Sequence, residues 1–225
     1  MKYYKLTTIG ANRNEIGISP QSKSGYFGDI QKDFIPFEGK INFDFDLPIP
    51  KLQDKANPTS MLDVVMIPTW FLVLKIDFIS FFKNFNIMNY QQWAIEVNHK
   101  KTILKDYILF YLAETKQNTY IDFEKSEFYI GSLKDYTFVG NDIKVSNYKN
   151  YLSTREILKS DNLWLKHRKI ILNLSNAKED LFRIINAPES DYYVSEKLKK
   201  ALEEKGFTGM VFKEITENKK IEVIY

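Results

Sequence analysis

Two histidines, no cysteine and a scatter of carboxylates are the material this 225-residue chain has for chemistry. His99 and His167 are the only imidazoles, so His-rich metal chemistry is poorly supplied. The absence of cysteine removes thiol nucleophiles and Cys-based zinc sites together. A serine hydrolase needs serine, histidine and a carboxylate, with the serine often in Gly-x-Ser-x-Gly. That pattern is absent, and Gly131-Ser132 and Ser24-Gly25 read as turns. Phosphate cradles need clustered glycines ahead of a helix. Here Gly206 and Gly209 follow a helix pattern, so their expected work is to end it.

Carboxylates occur as Asp44/Asp46, Asp122/Glu124/Glu127 and Glu203/Glu204. At spacing two on a strand a pair shares one face and could serve as acid and base or hold a cation. For Asp44/Asp46 a solvated edge face that resists aggregation is the favoured reading. Trp164-Leu-Lys-His-Arg-Lys169 is the one basic cluster with an aromatic. Such a pairing can stack a base and neutralise phosphates, yet a buried tryptophan beside a solvated basic turn is expected. The aromatics between residues 3 and 45 serve either the core or a protein-binding surface. No catalytic, metal or cofactor set is assigned. The enzyme reading kept in view is a small hydrolase or metal-dependent enzyme using His99 or His167 with Asp122 or Glu124.

The elements that must hold these residues alternate in type. Hydrophobic residues make up 44% of the chain, enough for a sizeable core. Net charge is +3 with no basic arm, so no nucleic-acid partner is expected. Met61 to Phe82 is the most apolar stretch, but Asp63, Pro68, Lys75 and Asp77 interrupt it. It falls short of the roughly 18 uninterrupted apolar residues of a membrane helix, and no membrane partner is expected. With no apolar leader after Met1, the expectation is a cytoplasmic protein.

Strands are expected at Lys2–Thr8, Ile41–Asp46, Phe71–Leu74, Gln91–Val97, Tyr107–Leu112, Thr119–Phe123, Phe128–Ile130, Lys169–Leu174, Leu181–Ile185, Gly209–Ile215 and Ile221–Ile224. Gly25–Asp29 is a turn signal, and Asn141-Asp142 is expected to turn a hairpin. Phe78, Phe81, Phe82 and Phe85 share one helical face, with Asp77 as N-cap and Asn86 as left-handed terminus. A second helix is expected over residues 151–160, capped by Ser153, and a third over 196–205, capped by Ser195 and closed by Gly206. Residues 74–92 and 194–212 align at a shift of 120, pairing Phe78 with Leu198 and Phe82 with Leu202. The fold class is therefore α+β, with mixed or antiparallel sheets and a few amphipathic helices; the aligned stretches read either as two related strand–helix–strand lobes or as the similarity that any two such units share. Residues 1–60 are expected as an irregular, partly β extension packed on a compact unit of residues 61–225.

One C-terminal pattern carries a likeness. Phe182-Arg183, then Val194-Ser-Glu196, a helix, and Gly206-Phe-Thr-Gly-Met-Val-Phe212 resemble the closing signature of a bacterial immunity-protein family from polymorphic toxin systems, the group numbered eleven. Asn89–Trp93, Asp106-Tyr107 and Tyr120–Ser126 are similar to that family's middle section, and the resemblance covers roughly residues 60 to 215. Where that family has a serine in its first strand–helix unit, this chain has Lys75 or Asp77. The resemblance implies a non-enzymatic cytoplasmic protein that binds and neutralises a cognate toxin domain. Its motif residues are cap, core and turn positions, so no partner-binding residue is carried over.

Overall fold

The structure, a computed structural model, describes residues 1–24, 35–65, 67–132, 138–185 and 191–225. In chain order the elements are β1 (Tyr3–Thr7), α1 (Arg13–Ile16), β2 (Ser22–Ser24), β3 (Lys51–Leu52), β4 (Met61–Leu62), β5 (Phe71–Lys75), α2 (Asp77–Phe82), β6 (Tyr90–His99), β7 (Thr102–Leu112) and α3 (Gln117–Tyr120). They continue as β8 (Glu127–Ser132), β9 (Phe138–Ile143), α4 (Tyr148–Ser160), β10 (Leu163–Asn173), β11 (Leu181–Ile184), β12 (Asp191–Ser195), α5 (Glu196–Lys205), β13 (Val211–Glu214) and β14 (Ile221–Ile224). The fold is α+β. Its three open sheets have the orders β11-β12-β1-β13, β14-β10-β8-β9 and β2-β3-β6-β7-β5-β4. Pairing is antiparallel except for β10 with β14 and β3 with β6.

The third sheet is apolar on both faces. Along β7, Ile108, Phe110 and Leu112 enter one core while Tyr107, Leu109 and Tyr111 enter another. Strand β5 divides likewise, with Leu72 and Leu74 on one side and Phe71 and Val73 on the other. A strand covered on both faces loses the usual alternation and becomes a continuous apolar run. From the stretch between Met61 and Phe82, Met61, Leu62, Phe71 to Leu74, Phe78 and Phe82 are buried in the core, and no helix among the described residues is long and apolar enough to cross a membrane.

The two strand–helix–strand units share a topology. Strands β5 and β6 both pair antiparallel with β7, which lies between them. Strands β12 and β13 flank β1 in the same way. The residues aligned by the shift of 120 also correspond in burial, since Phe78 and Phe82 of α2 and Leu198 and Leu202 of α5 all enter the larger core. The units meet where Phe207 stacks on Phe78 at 4.2 Å between ring centroids. Residues 1–60 supply β1, the central strand of the first sheet, and β2 and β3 at one edge of the third.

Asp180 fastens the two units together. Its buried carboxylate accepts the Ser195 hydroxyl at 2.6 Å and the Asn86 backbone N–H at 3.0 Å. Ser195 in turn caps α5 by accepting the N–H of Leu198 at 3.0 Å. Asn in place of Asp180 keeps the shape but puts an NH2 against either the Asn86 N–H or the Ser195 hydroxyl hydrogen. Asp180→Asn is therefore expected to cost about 2–3 kcal/mol, read as a lower urea midpoint at unchanged slope. A loss below about 0.5 kcal/mol would mean that the junction is held by packing alone.

Several local expectations are corrected. Residues 41–46 form no strand; the Gln91 side-chain amide accepts the Ile41 N–H at 2.8 Å and donates to its carbonyl at 2.9 Å, so a single side chain replaces a ladder. Thr119–Phe123 opens not as a strand but as the end of α3, because buried Gln117 and Tyr120, one turn apart, find partners in Glu38 and Glu179. Asn141-Asp142 turns no hairpin: β9 runs straight through it. Helix α4 starts earlier, at an Asn147 cap that accepts from Asn150, while Asn150 accepts from Ser146. Ser153 lies inside the helix, its hydroxyl donating to the Asn150 carbonyl. Asp77 is the first residue of α2 rather than its cap, and Asn86 has no positive φ but ties its side chain to the Lys178 carbonyl. Gly131-Ser132 lies in β8, not in a turn. The predicted turn at residues 25–29 lies outside the described residues.

Candidate functional site

The basic stretch that was expected as a turn is strand. Trp164 to Lys169 lies within β10, paired antiparallel with β8, and Trp164 is 37% exposed rather than buried. Strand periodicity then sorts the stretch. Leu165 packs against the larger core, and the alternate residues Trp164 and Lys166 face the other way, beside Tyr129 of β8. Trp164 stands opposite Gly131, where no side chain competes for the indole's space. The pairing shifts register between His167 and Lys169, a bulge at Arg168. Bulges re-aim side chains, and here the guanidinium lies 4.9 Å from the centre of the Tyr129 ring. The Lys166 ammonium sits likewise 4.8 Å from the Trp164 ring.

Two cations are thus laid over two rings on one sheet face. Cation–π contacts of this kind hold a flexible cation in place. Arg168 also donates from Nε to an oxygen of the exposed Asp142 on β9 at 3.1 Å, and its Nη2 lies 3.1 Å from the same oxygen. Tyr129, His167, Arg168 and Lys220 line a shallow depression of about 430 Å³ at this bulge. At its far end Lys169 is paired with Glu222 and lies across from Glu127.

His167 is pushed below its ordinary value near 6.5, first by burial and then by the Lys220 ammonium. The folded protein holds this imidazole neutral, whereas the unfolded chain takes up a proton as pH falls through about 6.5. The His167 contribution to stability is complete above that value and shrinks as pH falls toward the imidazole's own lower value. His167→Gln is expected to flatten the dependence of the urea midpoint on pH from about pH 7 to about pH 5. An unchanged slope would place its source elsewhere.

The structure separates the other candidates. His99 ends β6 in the third sheet, opposite Thr102, and its Nε2 has no hydrogen-bond partner. His167 belongs to the second sheet, so the two imidazoles stand in different sheets. Asp122 is engaged by Lys125, accepting its backbone N–H at 3.1 Å and its ammonium at 2.8 Å, and these bonds lower its pKa. Glu124 is exposed, Asp44 and Asp46 are exposed on an irregular segment, and Glu203 pairs with Lys199 along α5 at 2.9 Å. Among the described residues no three His, Cys, Asp or Glu side chains gather as a metal ion would need. Tyr129, Asp142 and Lys220 were not singled out in the sequence. Tyr129 had a signal, since it alternates with the core residue Phe128.

The residues of the C-terminal signature make a junction. Phe182 is fully buried and stacks on Tyr193 at 5.3 Å. Arg183 is 1% exposed. Gly206 is left-handed at the end of α5. Thr208 and Gly209 then dock on the strand before α2's unit: the Ser60 N–H donates to the Thr208 hydroxyl at 3.1 Å and the Met61 N–H to the Thr208 carbonyl at 3.0 Å. The chain matches no known family model and no curated protein sequence.

Proposed function

We propose that the protein is a non-catalytic immunity protein, acting in the cytoplasm, that binds a bacterial toxin domain and neutralises it by covering its working surface. The observation that carries this reading is the role of the signature residues. Phe182 and Arg183 are buried, Ser195 caps α5, Gly206 and Gly209 have positive φ, and Thr208 accepts from the Ser60 N–H. These residues hold the junction between the two strand–helix–strand units, and the resemblance of their pattern to the immunity-protein signature is what supports the reading. The exposed face of the second sheet adds Trp, Tyr and Arg, the residue types that anchor protein interfaces.

A neutralising complex of this kind is expected to be one-to-one and to bury on the order of 1,600 Å². The test is co-purification of the tagged protein with candidate toxin domains expressed from the genes that flank its own. A stable stoichiometric complex is the expected result. Failure to form one, with both proteins folded, would overturn the reading.

A further inference from the structure

We propose that the depression between α3 and the connection from β10 to β11, lined by Lys116, Thr119, Asn173, Asn176 and Lys178, binds phosphate, either as the free ion or as a small phosphate ester. Such binding would hold whether or not the protein neutralises a toxin.

The walls of this depression are fixed from within. Tyr120, 5% exposed, donates its hydroxyl to one oxygen of the Glu179 carboxylate, and the Lys116 ammonium lies 2.7 Å from the other. Burial alone would raise the Glu179 carboxyl, but these bonds hold it below its ordinary value. The Tyr3 hydroxyl donates to the Glu179 carbonyl at 3.1 Å, which ties the same residue to β1. The connection is thereby clamped to α3, and the groups along it need little reordering to meet a ligand. The lining itself is rich in donors. Among the described residues no partner is found for the Lys178 ammonium, the Thr119 hydroxyl or the Asn176 side-chain amide. Asn173 has its Oδ1 taken by the Ser175 hydroxyl at 2.7 Å, which leaves its NH2 on offer. Lys116 and Glu179 cancel, so Lys178 gives the lining a net positive charge. Glu179 is the one carboxylate there, and with both oxygens engaged it has little left to attract a cation. Ammoniums without an arginine suit phosphate, a compact anion that accepts point charges from any side. A carboxylate pairs better with the planar fork of a guanidinium. At about 340 Å³ the depression has room for more than a bare phosphate ion, and the Asn and Thr side chains suit the hydroxyls of a small ester.

The probes are inorganic phosphate, glycerol 3-phosphate, acetate and glycerol, each titrated into the isotope-labelled full chain at fixed pH and ionic strength. At least one of the two phosphates is expected to move the Asn173 and Asn176 side-chain NH2 resonances and the Lys178 amide saturably, with a Kd on the order of 1 mM. Acetate and glycerol should leave them in place. Lys178→Gln is expected to weaken binding about tenfold, the loss of one charge-assisted hydrogen bond. Its ammonium holds no other group among the described residues, so the variant should keep the wild-type urea midpoint and its weaker binding is not a loss of fold.

The two phosphates separate the sources. Tighter binding of glycerol 3-phosphate assigns the site to a small phosphate ester, and equal or tighter binding of inorganic phosphate assigns it to the free ion. No saturable shift with either phosphate, an equal response to acetate, or undiminished binding by Lys178→Gln would overturn the proposal.

Discussion

Gly209→Ala is expected to destabilise the protein by about 3–5 kcal/mol, while Gly206→Ala, three residues earlier in the same signature, costs only about 1 kcal/mol. Both glycines have positive φ, +76° at Gly206 and +84° at Gly209, so each substitution carries the left-handed penalty. They differ in surroundings. A Cβ at Gly206 meets nothing within 4 Å, whereas one at Gly209 would stand 2.1 Å from the Met61 carbonyl oxygen and 2.4 Å from the Thr59 hydroxyl. Neither obstacle can swing aside. The Met61 carbonyl belongs to β4, and the Thr59 hydroxyl is itself bonded to that carbonyl at 2.7 Å and to Gln21. The Gly209 N–H also donates to Glu15, so displacing the turn breaks the link to α1 as well. Parallel urea titrations of the two variants give the comparison. Equal losses would show that backbone conformation alone, and not the close approach of two chain segments, sets the requirement at Gly209.

Arg183→Leu is the second large effect, expected at about 3–5 kcal/mol and a fall of roughly 10 °C in melting temperature. Arg183 sits in the core with its guanidinium donating to the backbone carbonyls of Trp70, at 3.2 Å, and of Phe37. Its charge lies 5.1 Å from the Tyr111 ring, and no ion pair to a carboxylate is found for it among the described residues. The same two segments are held from other sides too: Tyr192 donates to the Trp70 carbonyl at 2.6 Å, and Tyr111 donates to the carbonyls of Pro36 and Gly39, on either side of Phe37. Burial pushes the Tyr192 hydroxyl up to about 12, so it stays a donor throughout the physiological range. One arginine thus pins the segment around residue 37 and the loop before β5 to β11. Leucine would fill the volume but take the Arg183 donor from the Phe37 carbonyl and leave the Trp70 carbonyl to Tyr192 alone. Arg183→Lys should recover part of the loss, since an ammonium reaches one carbonyl but not both. Full recovery by lysine would mean that charge, not the two-pronged geometry, is what the site uses.

Helix α5 was legible in the sequence from end to end because its determinants are local. The Ser195 cap, the Leu198/Leu202 face and the left-handed Gly206 all lie within one short segment. Strands β5 and β7 were legible because burial on both faces leaves a run of apolar residues. The errors fall where a distant partner decides. The Ile41–Asp46 stretch alternates like a strand, but its neighbour is the single side chain of Gln91 rather than a backbone. Residues 117–120 turn as a helix because Glu38 and Glu179, far off in sequence, take up Gln117 and Tyr120.

The candidate face was half legible. Trp164, Lys166 and Arg168 stood out as a basic and aromatic cluster, yet a strand with one solvated face and four basic residues gives almost no apolar alternation to mark it. Its contributors from β8, β9 and the residue before β14 reach it only through sheet pairing. The likeness of residues 74–92 to 194–212, by contrast, was seen as a shift in the sequence and reappears as a shared topology, each unit parting its strands to admit a third.

Protection of living cells tests the neutralising reading most directly. A candidate toxin domain from the genes that flank this one, shown to arrest growth by itself, is induced in a host with and without this protein, and growth is followed. Growth restored by the wild-type protein, and by His99→Ala and His167→Ala variants equally well, is the result expected of a non-catalytic inhibitor. Growth arrest that the folded wild-type protein leaves untouched would contradict it, as would a rescue that either histidine variant abolishes.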